Sequence, residues 1–308
     1  MDSKFPRLLL ATALVSLASA GSARAEEDCK GASGDCVAVG GWNFSLSIGA
    51  GIRTDPVVHE SDIPLVVIPQ ISYYGEHFFL DDLDLGWSFI DNDRITLSLI
   101  ATPGYDRVFF YRSDLQNIFV TGVTNFTSGT TSNSKPPTGA GDLPGNNVTS
   151  GNGTTSSQPG GGTTTAKTFP SRARDVTYLA GPEFTFKFQG LTGQLDVVHE
   201  ITGRDHGDEI RAALGIPLGK LGGSWVANVG LTWKSAGIVN YYYGAPGIYD
   251  AGPALDPFVK LGYSHPLNGK WKFTGFVECE HLGKAIADSP IVNARVVTTA
   301  FVGTAYSF

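Results

Sequence analysis

The chain has 308 residues, with 22 Lys and Arg against 29 Asp and Glu, for a formal net charge of −7. That balance excludes nucleic acid as a partner, because a phosphate backbone is bound by concentrated positive charge. With 39 glycines, 18 Phe, 11 Tyr, 5 Trp and one Met, the composition describes strands and turns rather than helices.

The first 25 residues form a secretory signal peptide: Lys4 and Arg7 make a basic start, Leu8 to Ala20 an apolar stretch, and Ala23-Arg24-Ala25 a small-residue cleavage site. No lipobox precedes Cys29, and no run of eighteen apolar residues follows. Export without a helical span leaves a periplasmic, secreted or outer-membrane destination. Residues 1–25 hold three basic residues and one acidic residue, so the chain from Glu26 onward carries net −9. Residues 26–40 read as a periplasmic arm. Cys29 and Cys36 lie there in a Gly-rich stretch and are expected to close a local disulfide in that oxidising compartment.

From residue 41 to 308 the dominant signal has a period of two. Trp42, Phe44, Leu46, Ile48 and Ile52 fall on one face, with Asn43, Ser45 and Ser47 on the other. Ile95, Leu97, Leu99 and Ala101 repeat the pattern, as do Val176, Tyr178, Ala180, Phe184, Phe186 and Phe188. Trp225, Ala227, Val229, Leu231 and Trp233 do so again. Globular strands average about five or six residues, whereas a tilted membrane strand needs roughly nine to eleven. The runs here are of the longer kind. Trp225 and Trp233 would stand about 27 Å apart at roughly 3.4 Å per residue, close to the height of an apolar membrane band. The pattern predicts an all-β, transmembrane, antiparallel up-and-down β-barrel.

Turns at Gly75-Glu76, Gln189-Gly190, Leu218-Gly219-Lys220 and Asn268-Gly269 alternate with longer connections at 54–62, 202–208, 235–256 and 282–292. Short turns would face the periplasm and long loops the exterior. The tracing gives twelve strands, counting a weak one at Arg107–Phe119 and a short outer turn at Asp91–Asp93. Ten result if the weak strand is loop. Residues 122–169 are Thr, Ser, Gly, Asn and Pro with little apolar content and read as a disordered surface loop between strands five and six.

Candidate chemistry is sparse. Glu278 and Glu280 share the face opposite Trp271, Phe273 and Val277, so they should point into the lumen, with Lys187, Lys234 or Lys272 as partners. Paired carboxylates can do acid–base work, but a solvated barrel interior is the commoner use. Asp82 and Asp84 precede Gly86 like a fragment of a calcium loop whose other ligands are missing, and they too read as lumen residues. His199, Asp205, His206 and Asp208 cluster without a closed metal spacing and read as a loop-conformation motif. Cys279 shares the parity of the lipid-facing residues. No nucleophile elbow, phosphate loop or dinucleotide fingerprint occurs, and no cofactor or resident metal is expected. At the end of the chain, Tyr306 and Phe308 project together, three residues and more beyond Gly303. Such an ending suits the closing strand of a lipid-facing barrel and looks like the signal read by the outer-membrane assembly machinery.

Several segments together resemble the MipA/OmpV family of Gram-negative outer-membrane proteins, named for an MltA-interacting protein. They are Asp93-Arg94-Ile95-Thr96-Leu97-Ser98-Leu99, Pro103-Gly104-Tyr105-Asp106, His199 to Gly207, Tyr241-Tyr242-Tyr243-Gly244, Tyr249-Asp250-Ala251-Gly252 and Ala287-Asp288-Ser289-Pro290-Ile291-Val292. The resemblance implies a non-enzymatic barrel among lipid and lipopolysaccharide, acting as a scaffold for a lytic transglycosylase and a peptidoglycan synthase. Alternatives are a surface adhesin or ligand-binding barrel, a narrow pore, or an outer-membrane hydrolase.

Overall fold

A computed structural model describes residues 40–111, 114–119 and 174–308. Twelve strands among them form one closed antiparallel barrel in which each pairs with its neighbours in sequence. They are β1 (Trp42–Arg53), β2 (Ile63–Tyr74), β3 (Phe78–Asp81), β4 (Asp84–Asp91), β5 (Ile95–Pro103) and β6 (Tyr178–Phe188). The remaining six are β7 (Leu191–Glu200), β8 (Asp208–Lys220), β9 (Ser224–Lys234), β10 (Ala254–Asn268), β11 (Trp271–His281) and β12 (Val296–Ser307). β1 closes on β12 in unbroken register from Ser45↔Ser307 to Arg53↔Thr299. Closure satisfies the backbone of both edges, which in hydrocarbon would otherwise cost several kcal/mol per group. The signal peptide at 1–25, residues 26–39 of the arm with Cys29 and Cys36, and the whole Thr/Ser/Gly-rich segment at 122–169 lie outside the described residues.

The alternation read from the sequence is the alternation of wall faces. Along β10, Ala254, Asp256, Phe258 and Lys260 are buried inside while Leu255, Val259 and Leu261 are exposed outside. An apolar exterior around a polar interior is what a strand crossing lipid requires. Rings gather outside the short-turn end: Trp42 stands 5.2 Å from Tyr73, Trp225 4.6 Å from Tyr263, and Trp271 5.0 Å from Tyr306. These form one aromatic girdle.

Three details of the tracing differ from expectation. Arg107–Phe119 is not a strand, because the chain leaves β5 into a 3-10 turn (Tyr105–Phe109) and a short helix α1 (Leu115–Phe119). Val108 and Phe109 are both buried though adjacent, which a one-faced strand cannot achieve. The twelfth strand comes from the β3–β4 hairpin, whose tight turn uses Asp82 at φ 51°. The turn after Asp91 therefore lies at the short-turn end, not the outer one. The third difference is that β8 runs on to Lys220 through a bulge between Pro217 and Gly219, moving that turn to 221–223. Gly219 adopts φ 107° at the bulge. Gln189 and Gly190 do form the predicted two-residue hairpin, both at positive φ.

The main apolar cluster sits inside the long-loop mouth and not at mid-barrel. It joins Val57, Phe109, Tyr242, Tyr243, Leu282 and Ile286. The loops holding α2 (Ala236–Tyr243) and α3 (Lys284–Ala287) turn inward to supply these side chains. Ser289 donates Oγ–H to the Tyr243 carbonyl at 2.6 Å, and Tyr249 donates its hydroxyl to Ala285 O at 2.8 Å. Asn117 donates Nδ2–H to Val108 O at 3.0 Å, tying α1 to the 3-10 turn. The barrel is stoppered by its own connections.

Candidate functional site

Beneath that stopper the inward residues of five strands are charged. Period-two placement delivers Arg53 from β1, Glu209 and Arg211 from β8, Lys234 from β9, Asp256 and Lys260 from β10, and Glu278 and Glu280 from β11. Isolated charges at this depth would be very costly, so most are paired. Lys234 Nζ lies 2.8 Å from Asp106 Oδ1 and 3.0 Å from Asp256 Oδ2, all three nearly solvent-free. Arg211 Nε lies 2.6 Å from Glu209 Oε1. Lys260 Nζ approaches Glu278 Oε2 at 3.5 Å and covers the Phe276 ring at 4.6 Å.

The stopper is keyed into this network. Asp106, from the 3-10 turn, also accepts the Tyr243 hydroxyl at 2.8 Å. Burial, reinforced by the Asp106 carboxylate, holds the Tyr243 phenol well above its ordinary pKa, so it stays a hydrogen donor. Tyr105 is likewise pushed up by burial and by the Asp84 carboxylate. Its ring lies under the Arg211 guanidinium at 4.6 Å and its hydroxyl is 3.1 Å from Thr102 Oγ1. The Pro-Gly-Tyr-Asp run thus carries two of the plug-to-wall anchors. Gly104 is required for this approach, since a Cβ there would stand 2.2 Å from Thr177 Oγ1.

Among the sequence-derived candidates, Glu278 and Glu280 both line the cavity below the plug, which has a volume of about 60 Å³. Glu278 pairs with Lys260, a residue the sequence reading did not name, rather than with Lys187 or Lys272. Lys234 takes Asp106 and Asp256 instead of the glutamates. Asp84 is buried in the lumen with Oδ1 unpartnered. Asp82 is a turn residue: it accepts the Ile71 N–H at 2.8 Å and returns its own N–H to Ile71 O at 2.8 Å. The two do not form a calcium loop. Asp106 was legible only as part of a motif, because its partners lie more than a hundred residues away.

The His199 to Asp208 stretch organises a loop. Glu200 turns its carboxylate onto the N–H groups of Thr202, Arg204 and His206, at 2.5, 2.9 and 3.2 Å. Gly203 and His206 take positive φ to make that possible. His199 and Asp208 pair with each other on the surface at 2.8 Å, and no group of three or more metal-binding side chains occurs among the described residues. Cys279 is free and exposed on the outer face.

At the seam, Gly303 sits opposite Gly49, and both face inward beneath the Phe301 ring. A Cβ on Gly49 would stand 2.2 Å from that ring, and one on Gly303 2.5 Å. Tyr306 is outside, 5.1 Å from the Phe308 ring, and the Phe308 N–H donates to Phe44 O at 3.0 Å.

A closed twelve-strand barrel with a lipid-type exterior, an ion-paired lumen and an inward-folded stopper defines a membrane β-barrel whose long-loop mouth is filled. The family model described as MltA-interacting protein MipA matches residues 46–308, and the chain belongs to that family. No curated protein matches it. Among solved structures it is similar to a porin, at 7% identity and TM-score 0.34, covering 87% of this chain and 100% of the porin. It is also similar to the TodX deltaS2S3 mutant, titled a monoaromatic hydrocarbon channel, at 9% identity and TM-score 0.32, covering 88% and 90% of the two chains.

Proposed function

We propose that this chain is an exported, non-enzymatic outer-membrane barrel that holds peptidoglycan-remodelling enzymes, a lytic transglycosylase and a synthase, against the membrane. The observation that carries this reading is the family match over residues 46–308, whose description names an MltA-interacting protein. The filled mouth supports it: a barrel built for free conduction gains nothing from a stopper anchored by buried ion pairs. Glu278 is engaged by Lys260, which supports a non-catalytic lumen. The signal peptide at 1–25, the periplasmic arm at 26–40 and the aromatic terminus fit delivery to the outer membrane through the barrel-assembly machinery, among lipid and lipopolysaccharide.

Periplasmic cross-linking of a tagged chain in cells, followed by mass spectrometry, tests it. Enrichment of a lytic transglycosylase or a murein synthase over an unrelated barrel of equal abundance is expected. A cross-linked set with neither enzyme would remove the scaffold reading.

A further inference from the structure

We infer that the cavity beneath the stopper is a binding site for a small zwitterion, a molecule carrying one carboxylate and one primary ammonium, such as a free amino acid. The inference rests on two side chains of opposite charge that line the same cavity and do not pair. Arg53, 7% exposed, spends one N–H on Asn117 Oδ1 at 3.1 Å, and no carboxylate lies within ion-pair distance of it among the described residues. Glu280 has no cation within that distance among the same residues, although Lys234, Arg211 and Lys260 are all engaged nearby. Arg211, also 7% exposed, lines the cavity too and leaves Nη2 without an acceptor.

Register fixes how far apart the two ends are. Arg53 faces Thr299 and Thr299 faces Glu278, so Arg53 and Glu280 lie two strands and two residues apart. At about 4.8 Å per strand and about 3.4 Å per residue, their Cα atoms stand roughly 12 Å apart. Both side chains line the same cavity of about 60 Å³, so a small molecule with its charges a few ångströms apart can reach both from within it. The carboxylate of such a ligand would accept the spare Arg53 N–H groups, and its ammonium would donate to Glu280. The lumen supplies the low-dielectric surroundings in which both contacts outweigh their competition with water. A simple anion or a simple amine would satisfy only one end.

Titration calorimetry on the folded, detergent-solubilised chain decides the matter, with glycine and alanine as probes against N-acetylglycine, glycine methyl ester, acetate and ethylamine. Folding of every sample is verified by heat-modifiable mobility in SDS gels. Glycine or alanine should bind saturably, and masking either charge should weaken binding by about tenfold or more. Arg53→Gln should abolish discrimination against the methyl ester, and Glu280→Gln discrimination against the N-acetyl compound. If a substituted chain fails to fold, the ligand series on the unsubstituted protein still decides. Absence of zwitterion binding, or equal binding by the singly charged probes, overturns the proposal. The enzyme-scaffold reading is untouched by either result, since cross-linking reports on it separately.

Discussion

Asp106 and Lys234, 128 residues apart in sequence, meet at 2.8 Å inside the barrel mouth. The contact joins a 3-10 turn of the β5–β6 connection to the wall strand β9, and Tyr243 closes on the same carboxylate oxygen. It is the pin that holds the stopper.

Asp106→Ala should release that pin while leaving the barrel closed. Breaking a buried pair costs about 3–5 kcal/mol when it strands a charge, and Lys234 retains Asp256, so the lower end applies. In planar bilayers the substituted protein should show higher and noisier ionic conductance than the unsubstituted chain. Its heat-modifiable gel shift should persist. An unchanged conductance would show that the turn stays seated without Asp106.

The Gly49–Gly303 pair gives a prediction about the seam. Valine at Gly303 would drive a Cβ to 2.4 Å from Ile48 O and 2.5 Å from the Phe301 ring. Overpacking of this kind costs about 1–3 kcal/mol. The β1–β12 junction should therefore unfold at lower urea than normal when followed in detergent or lipid. Gly252→Ala, at a position with nothing within 4 Å, should leave the midpoint unchanged.

Phe308 separates assembly from stability. The ring is 69% exposed and touches Tyr306, so deleting the residue should cost little beyond its one N–H bond to Phe44 O, about 1 kcal/mol of unfolding free energy. If the terminal rings are read by the assembly machinery, folded barrel should nevertheless accumulate more slowly in cells. Pulse-labelling with the gel-shift assay measures this directly. Normal accumulation of the truncated chain would remove the assembly role from Phe308.

Asp205 makes the 201–207 loop pH-sensitive. Burial raises its carboxyl to about 6, the Gly207 N–H opposing and the Glu200 carboxylate adding to the rise. Its unfolded value lies near 3.9, so the folded loop binds the proton more tightly. Stability from this group is therefore complete below about pH 4 and lost as pH climbs through about 6. Amide exchange at residues 201–207 should quicken over that interval. Asp205→Asn keeps an acceptor for Gly207 N–H and should flatten the profile.

The sequence alone determined the wall. Period-two alternation, strand length and short turns such as Gln189-Gly190 depend on local chemistry: every residue on a membrane strand meets either lipid or lumen, and parity says which. The lumen positions of Glu278 and Asp84 follow from parity for the same reason. The tertiary structure decided the contents of the barrel. Arg107–Phe119 carries enough apolar residues to imitate a strand, and only the packing of Val108 and Phe109 against Tyr242, Tyr243 and Leu282 turns it into a plug. Pairings such as Lys234 with Asp106, or Lys260 with Glu278, depend on which strands become neighbours and how far loops reach inward. Alternation assigns a charge to the interior, but only closure of the barrel brings its partner within ion-pair distance.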